Sequence, residues 1–256
     1  RAQSIRRVIV QLAAGTFTDF FEDISSAIKN IDLLFWAGSD LRICIECERV
    51  GNHPFNSSDI GPHVGREILA HLKEKGVTAR IDFDQPTLRI FILVVDSSFI
   101  IGVDFSGFDL GKREYKIFSH AASLRGTVGY GILRLAGYSL EKAMLSCFTK
   151  SGVFEIEAAL FALGRSVHHY KKDAFAFWKL PSFKGKDPAE ELARFDVLHE
   201  KKLRIRGINS DLRHVSASKK NAKIAGVDDS MHISRIDTEW MDIKFNEGEF
   251  DIIIAQ

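Results

Sequence analysis

The residues whose types and spacing could do chemistry lie where predicted strands end in the second half of the chain. The loop after one apolar strand has the sequence Ser146-Cys-Phe-Thr-Lys-Ser-Gly-Val153. Turns that cradle a nucleotide bring backbone N–H groups against it, and they use glycines for this close approach. This loop keeps one glycine, Gly152, where such turns usually have several. It is a candidate cofactor-binding turn because of its position.

Polar side chains also follow the next two predicted strands. Asn209 and Asp211 come after one strand, and Asp237 comes after the other. Ligands of doubly wound sheets bind at the carboxyl ends of strands, where an acidic residue commonly binds ribose hydroxyls. Asp211 could equally cap the helix that follows it. Asp237 could accept a hydrogen bond from an adenine amino group or merely turn the chain, and the sequence leaves these alternatives open.

These positions depend on an alternation of strands and helices that begins near residue 118 and is typical of a parallel α/β sheet. The predicted strands are 143–148, 203–208, 231–236 and 249–255, and the predicted helices are 123–136, 154–163 and 211–225. Residues 175–195 form a predicted surface insertion rich in aromatic side chains. We expect these rings to pack the insertion against the sheet rather than to stack on flipped bases.

The chain before residue 110 has a different rhythm, which predicts a mixed α+β unit. The predicted strands are 5–12, 40–48, 79–83, 87–96 and 98–104, and the predicted helices are 17–31 and 60–75. Thr18 or Asp19 could cap the first helix, and the polar loop 52–59 ends in a cap for the second. A short turn at 96–98 predicts a hairpin.

Composition excludes several classes of protein. Of the 256 residues, 45% are hydrophobic and 27% are charged, and the net charge is +1. These values exclude a disordered chain and a uniformly basic coat, although they allow a local basic face. No apolar run reaches about 18 residues, so a membrane-spanning helix is not predicted. Three cysteines fit a reducing, cytoplasmic location. Cys44 and Cys47 are a lone pair without the four ligands of structural zinc, so no metal site is predicted.

Two segments of the first half resemble a THUMP domain, a module that binds structured RNA. They are Glu48-Arg-Val-Gly-Asn-His-Pro-Phe-Asn-Ser-Ser-Asp59 and Val103-Asp-Phe-Ser-Gly-Phe-Asp-Leu-Gly-Lys-Arg-Glu-Tyr-Lys116. The resemblance implies a THUMP domain at 40–116, preceded at 1–39 by part of a ferredoxin-like lead-in. It also implies contacts with RNA phosphates from basic residues. The candidates are Arg49, His53, Arg66, Lys73, Lys75, Arg80, Lys112, Arg113 and Lys116, although any one of them could be a solvated surface charge.

Residues 117–256 resemble the Rossmann-like methyltransferase domain that follows the THUMP module in a family of RNA methyltransferases. The matching segments are Ser123-Leu-Arg-Gly-Thr-Val-Gly-Tyr-Gly-Ile-Leu133, Ile156-Glu-Ala-Ala-Leu160, Ala174-Phe-Ala-Phe-Trp-Lys179, Asn221-Ala-Lys-Ile-Ala-Gly-Val227 and Asp237-Thr-Glu-Trp-Met-Asp-Ile243. The resemblance implies S-adenosylmethionine as cofactor and the exocyclic amine of guanine in tRNA or rRNA as target. The implied cofactor-binding residues are Thr127, Ser146, Lys150, Ser151, Gly152, Asn209, Asp211 and Asp237.

This sequence departs from the family pattern at the cofactor loop. Where the family has Asp-Pro-x-Cys-Gly-Ser-Gly-Thr, Ser146 replaces the aspartate, Lys150 the first glycine and Val153 the threonine. Asn209 replaces the aspartate that binds ribose. A degenerate methyltransferase that only binds RNA or acts as a scaffold is therefore the alternative to an active enzyme. A DNA amino-methylase is a weaker alternative, because the THUMP module argues against it.

The family's catalytic Asn-Pro-Pro-Tyr motif would begin at Gln256, the last residue. Residues 250–256 are predicted to be a buried strand that stops at its tip, where a domain rarely ends. We expect the methyltransferase domain to be incomplete at its C-terminus and the chain to be a fragment of a longer protein.

Overall fold

The computed structural model describes residues 3–196, 199 and 202–255. Within these residues the chain forms two compact units. The first unit consists of residues 7–108 and 173–188, and the second consists of the remaining described residues. The predicted insertion is therefore divided: its aromatic part groups with the first unit, although it follows the start of the second unit in sequence. The predicted domain boundaries did not anticipate this grouping.

The first unit is a five-stranded mixed sheet covered by two helices. Its strands pair in the order β1-β5-β4-β2-β3, with β2 parallel to β3 and β4 and with β5 antiparallel to β1 and β4. Its elements are β1 (Ile9–Thr16), α1 (Phe20–Lys29), β2 (Leu41–Val50), α2 (Ser57–Glu74), β3 (Ala79–Ile81), β4 (Leu88–Val95) and β5 (Ser98–Asp104). The predicted hairpin is β4–β5, and it turns at Asp96, whose φ is +49°.

Helix caps explain where α1 and α2 begin. The Asp19 carboxylate accepts from the backbone N–H groups of Phe21 and Glu22. Asp19 is therefore the N-cap of α1, which was one of the two predicted alternatives. α2 begins earlier than predicted, because Asn56 and Asp59 form a capping box in which Asp59 is the third helical residue. Local pairing of this kind adds a turn that hydrophobic periodicity alone does not mark.

The aromatic insertion packs against the core of the first unit. Leu180 is buried there, with Phe177 and Phe183 packed beside it. The Phe177 N–H donates to the carbonyl oxygen of Phe105, the residue that follows β5, over 3.2 Å. The insertion thus packs against a sheet, as predicted, but this is the sheet of the first unit.

The second unit contains a four-stranded parallel sheet with the order β8-β7-β6-β9. Its elements are α3 (Gly126–Leu135), β6 (Met144–Cys147), α4 (Val153–Ala162), α5 (Pro188–Ala193), β7 (Ile205–Asn209), α6 (Leu212–Ala225), β8 (His232–Arg235), α7 (Met241–Lys244) and β9 (Ile252–Ala255). Because the strands are parallel, the loops after β6, β7 and β8 lie at one edge of the sheet. The predicted alternation and parallel sheet are confirmed.

No helix among residues 3–196, 199 and 202–255 is both long enough and apolar enough to cross a membrane. The cysteines are all free thiols, with Cys44 and Cys147 buried and Cys47 partly buried. Burial raises the pKa of the Cys47 thiol to about 11, so this group stays protonated at neutral pH.

Candidate functional site

The loop between β6 and α4 makes a tight turn that requires its one glycine. Gly152 has a φ of +75°, a region that side-chain-bearing residues rarely adopt. A Cβ at this position would lie 3.2 Å from both the Ile156 Cδ1 and the Ser218 Cβ. The glycine is therefore needed both for the backbone conformation and for the close approach of α6 to the start of α4.

Asn221 on α6 ties this loop to the segment that leads into α3. Its side-chain amide is fully buried, and its Nδ2 donates to the carbonyl oxygens of Ser151 (2.9 Å) and Phe118 (2.8 Å). Its Oδ1 accepts from the Phe118 N–H over 3.0 Å. The Ser151 hydroxyl is also buried and contacts the Ser123 hydroxyl. These bonds hold the loop rigid, and sequence reasoning missed the role of Asn221.

A buried glutamate lies beneath the same loop. Glu155 is 1% exposed, and the hydroxyls of Thr149 and Ser146 lie near its carboxylate, although neither the Ser146 Oγ nor the Glu155 Oε1 makes a hydrogen bond to a described residue. Gly207 on β7 makes room for it, because a Cβ there would lie 2.3 Å from the Glu155 Oε1. Burial raises the pKa of Glu155, and the two hydroxyls act in the opposite direction. Ser146, a predicted cofactor residue, thus faces an interior carboxyl.

The signal for Glu155 was present in the sequence. Two carboxylates, Glu155 and Glu157, interrupt the apolar run of α4, in which Val153, Phe154 and Ile156 are all buried. A helix that is apolar all round is buried on every face, so any charged residue within it must also be enclosed.

Asn209 and Asp211 both make local bonds at the end of β7. The Asn209 amide donates to the Thr149 carbonyl oxygen and accepts from the Asp211 N–H, each over 2.7 Å. Asp211 caps α6 through the Arg213 N–H, and its carboxylate pairs with the Arg213 guanidinium at 2.7 Å. Hydrogen bonds from Arg213 lower the pKa of Asp211 to about 2. The capping alternative is therefore observed, and a sugar hydroxyl would compete with Arg213 for this carboxylate.

The Asp237 carboxylate accepts fewer hydrogen bonds than the Asp211 carboxylate does. It is exposed at the end of β8, and its Oδ1 accepts from the Glu239 N–H over a long 3.4 Å. The neighbouring Ile236 N–H donates to the Asn209 carbonyl oxygen over 3.2 Å, which joins the ends of β7 and β8. Asp237 therefore stands at the same sheet edge as Asn209 and the 146–152 loop.

Lys150 and Phe148 are the most exposed side chains of the altered loop. Lys150 lines a cavity of about 330 Å³ together with Arg213, His214 and His120. Phe148 has a φ of +59°, which is unusual for an aromatic residue, and its ring is 46% exposed. Strained residues of this kind often mark functional sites. The sequence analysis did not predict a functional role for Phe148.

The remaining predicted cofactor and catalytic residues lie elsewhere. Thr127 is buried at the start of α3, and it lines a different cavity from Lys150. Gln256, the predicted start of the catalytic motif, lies outside the described residues. The structure thus gathers Ser146, Lys150, Ser151, Gly152, Asn209, Asp211 and Asp237 around the ends of β6, β7 and β8.

Two families match this chain. The THUMP domain model matches residues 19–104, and the RMKL-like methyltransferase domain model matches residues 113–256. The chain belongs to the RMKL-like methyltransferase family. The methyltransferase match includes all four strands of the parallel sheet in the second unit, and the THUMP match lies in the first unit.

Two curated tRNA (guanine(6)-N2)-methyltransferases are similar to this RMKL-like chain. The protein from Archaeoglobus fulgidus is 31% identical over 91% of this chain and 55% of its own length. That from Methanocaldococcus jannaschii is 27% identical over 91% of this chain and 61% of its own. The chain therefore spans somewhat more than half the length of these relatives.

A solved structure from Clostridium difficile 630, described as "a possible methylase", shares the fold. It superposes with a TM-score of 0.80 at 21% identity, and the match covers 98% of this chain and 65% of that one. The RMKL-like chain therefore has the THUMP and Rossmann-like architecture that its sequence predicts.

The basic residues predicted to contact RNA in the THUMP-matching unit differ in whether another side chain already contacts them. Arg66 and Lys73 are exposed on α2, and no carboxylate within the described part of the chain pairs with them. Arg80 is exposed beside Asp40, 3.4 Å away. Arg49 contacts the His53 Nδ1 at 3.0 Å. Lys75 is also exposed, just after α2.

Arg113 lies in the interior of the second unit and not on a surface that RNA could reach. Its guanidinium is 1% exposed and contacts the Glu157 carboxylate at 2.6 and 3.1 Å. It also donates to the carbonyl oxygens of Leu110 and Gln3, each over 2.6 Å. The prediction of a phosphate contact at Arg113 is therefore corrected. Its guanidinium donates to interior groups and forms a structural ion pair with Glu157. Its sequence neighbour Lys112 is exposed.

Proposed function

We propose that this chain is the RNA-binding and cofactor-binding part of an S-adenosylmethionine-dependent RNA methyltransferase. The proposed target is the exocyclic amine of a guanine in tRNA, or in rRNA as the alternative RNA. One observation carries the proposal: a unit that matches the THUMP domain is joined to a parallel sheet whose carboxyl edge carries the Gly152 turn. We also propose a cytoplasmic location, in keeping with three free thiols.

The residues at the sheet edge fit S-adenosylmethionine. Gly152 is the N-cap of α4, and no side chain caps that helix start, so its backbone N–H groups are donors that a ligand at the turn could use. Lys150 offers a cation for the methionine carboxylate, since no carboxylate of the described residues pairs with it. Asp211 and Asn209 would serve the ribose, and Asp237 has the free oxygen needed for an adenine amine.

When bound, S-adenosylmethionine supplies an electrophilic methyl group. The chain's own contribution is then to bind and orient. The bonds of Asn221 hold the loop in one conformation, so the cofactor would meet a preorganised turn. Basic side chains such as Arg66 and Lys73 would hold RNA through its phosphates, which positions a base without reading its sequence.

One observation favours a second candidate function, an RNA-binding homologue that has lost cofactor binding. The Asp211 carboxylate is paired with Arg213, and Lys150 stands where the family has a glycine. Exchanging a charge-assisted hydrogen bond for a neutral one, or losing it to a competing cation, costs about 1 kcal/mol or more. Several such losses together would abolish useful affinity.

Calorimetric titration of S-adenosylmethionine into the full-length protein, with and without bulk tRNA, tests the proposal. We expect saturable binding, and we expect Lys150→Gly to weaken it about tenfold because a charged hydrogen bond to the methionine carboxylate is lost. Lys223→Ala, an exposed charge on α6, is the matched control. Transfer of a labelled methyl group to tRNA is the second readout.

Each contrary result has a distinct meaning. Tighter binding by Lys150→Gly would mean that Lys150 blocks the site and that the wild-type chain is the degenerate homologue. No binding by either protein, with RNA binding intact, would refute the enzyme and leave the RNA-binding alternative.

A further inference from the structure

A cavity of about 330 Å³ opens in the second unit beside the start of α3. Among the predicted cofactor-binding residues Thr127 lines it, whereas Lys150, Asn209, Asp211 and Asp237 at the sheet edge do not. The residues that matter for its chemistry are Arg6, Asp109, Lys112, Lys116, Arg125 and Thr127.

Cations outnumber carboxylates around this cavity. Its one lining carboxylate within the described part of the chain, Asp109, already pairs with Arg6 at 3.3 Å. The cavity is also lined by Arg113, which is paired with Glu157, and by three further cations, Lys112, Lys116 and Arg125. Within the described residues 3–196, 199 and 202–255, none of these three side chains lies within ion-pair distance of a carboxylate. The cavity therefore carries an uncompensated positive charge.

The way Lys116 is held shows that this charge is built into the fold. Its Nζ donates to the carbonyl oxygens of Ser123 (3.3 Å) and Leu124 (2.5 Å), which fixes the ammonium beside the loop that ends at Arg125. Partial burial lowers the pKa of Lys116, and the nearby Arg125 lowers it further. Two cations are thus held near one another, and no carboxylate of the described residues pairs with either, an arrangement that a bound anion would stabilise.

The start of α3 adds neutral donors to the same cavity. This ten-residue helix begins after Arg125, which makes no side-chain cap. The Thr127 side chain lines the cavity and is 9% exposed, and its hydroxyl has no hydrogen-bond partner among the residues described here. Gly126 lets the helix start so close to the interior, because a Cβ there would lie 2.5 Å from Arg113. An uncapped helix start and a hydroxyl without a partner among the described residues favour an anion with several oxygens.

We propose that this cavity binds one phosphate group of an RNA backbone, held by Lys112, Arg125 and the start of α3. The inference rests on the proposed function for the identity of the ligand, but the phosphate chemistry rests on the cavity alone. A phosphate has enough oxygens to accept from two cations and from the Thr127 hydroxyl together. The site would anchor the RNA to the second unit independently of the cations on α2.

Inorganic phosphate tests the site directly in the full chain. Titration followed by amide NMR should give saturable shifts centred on Gly126 and Thr127. Lys112→Ala and Arg125→Ala should each weaken phosphate binding about tenfold, since a charge-assisted bond is lost. Both side chains are exposed, so the variants should fold, and an unchanged spectrum elsewhere verifies this. Lys244→Ala, an exposed lysine on α7, is the matched control and should leave the affinity unchanged.

Structured RNA supplies the second arm, in which binding of bulk tRNA is measured as a function of salt. Each of Lys112→Ala and Arg125→Ala should reduce the slope of log K against log salt by about 1, as expected for one phosphate contact. Thr127→Val should weaken binding of inorganic phosphate a few-fold while leaving this slope unchanged, because it removes a neutral donor. Lys244→Ala should change neither quantity.

The outcomes separate this inference from the proposed function. If wild-type protein binds tRNA and the variants keep both its affinity and its salt slope, the cavity site is refuted and the proposed function stands. If phosphate shifts Gly126 and Thr127 but tRNA does not bind, RNA as the ligand is wrong and the proposed function fails with it. Shifts spread over the surface, unaffected by the variants, would also refute the site.

Discussion

At the scale of single residues, burial decides what the charged side chains of the second unit do. Arg113 and Glu157 are 1% and 0% exposed in their side chains, and each supplies the other's counter-charge. Burial raises the pKa of Glu157, and Arg113 acts in the opposite direction. The cost of removing water from both groups is repaid only while the pair is intact.

Breaking this pair should therefore be costly. Arg113→Met leaves a buried carboxylate without its partner, and we expect a loss of about 3–5 kcal/mol in the free energy of unfolding. The double variant Arg113→Met, Glu157→Met should recover much of this loss, because no unpaired charge remains. Urea denaturation at neutral pH measures both. Equal destabilisation by the single and double variants would contradict the interpretation of a structural ion pair.

Glu155 should make stability depend on pH. Its folded-state pKa is raised above the ordinary value of 4.5, so the folded protein binds more protons than the unfolded chain. Stability from this group is therefore greatest at low pH and decreases as the pH rises above 4.5 towards the folded-state pKa.

The neutral variant Glu155→Gln removes that penalty. We expect it to be more stable than the wild type at pH 8, with the difference shrinking towards pH 4, in parallel urea titrations. Glu247→Gln, an exposed residue, should show no such trend. A Glu155→Gln variant that is less stable at pH 8 than at pH 4, relative to wild type, would mean that the folded state favours the carboxylate.

At the scale of elements, α6 does more than cover the sheet. Its Asn221 side chain bonds to two separate segments, the 146–152 loop and the segment that leads into α3. One amide with three bonds thus couples the position of the helix to the conformation of the candidate cofactor turn.

Removing this amide should loosen the turn. For Asn221→Ala we expect a loss of about 1–3 kcal/mol in the free energy of unfolding, because three backbone groups, of Phe118 and Ser151, lose their hydrogen-bond partner. Hydrogen exchange should show lower protection for the Phe118 amide. Lys223→Ala, two residues along the same helix and exposed, serves as the comparison and should have little effect. Unchanged exchange at Phe118 in the Asn221 variant would argue against the tether.

At the scale of the whole molecule, the chain carries exposed basic groups on each of its units, which we propose bind RNA. On the first unit, Arg66 and Lys73 are exposed on α2 and lie seven positions apart, which places them on one face of the helix. Binding through phosphates alone depends on salt in proportion to the number of contacts.

The double variant Arg66→Ala, Lys73→Ala should therefore bind tRNA more weakly and with a salt slope reduced by about 2. Fluorescence anisotropy with labelled tRNA, over a range of salt concentrations, measures this. The control is Lys29→Ala, an exposed lysine at the end of α1. A loss that Lys29→Ala shares equally would reflect general charge rather than a binding face on α2.

Much of the architecture could be predicted from the sequence, because the signals are local. Hydrophobic periodicity and turn residues mark elements such as α6, with Asp211 as its cap and Gly226 closing it in a left-handed conformation. The motifs at residues 48–59 and 103–116 indicated the THUMP domain, and segments such as 123–133 and 221–227 indicated the methyltransferase domain, and the family models confirm both. Candidate site positions followed from the rule that parallel strands end at one edge.

Only the tertiary structure decided which partners the enclosed charged residues find. Arg113 and Glu157 are 44 residues apart, and nothing in their local sequence states that they pair. The same holds for the space that Gly207 of another strand leaves for Glu155, and for the insertion, whose aromatic rings pack on the first unit. Periodicity reports which face of an element is apolar, whereas burial and partners arise from contacts between distant segments, so these assignments required the fold.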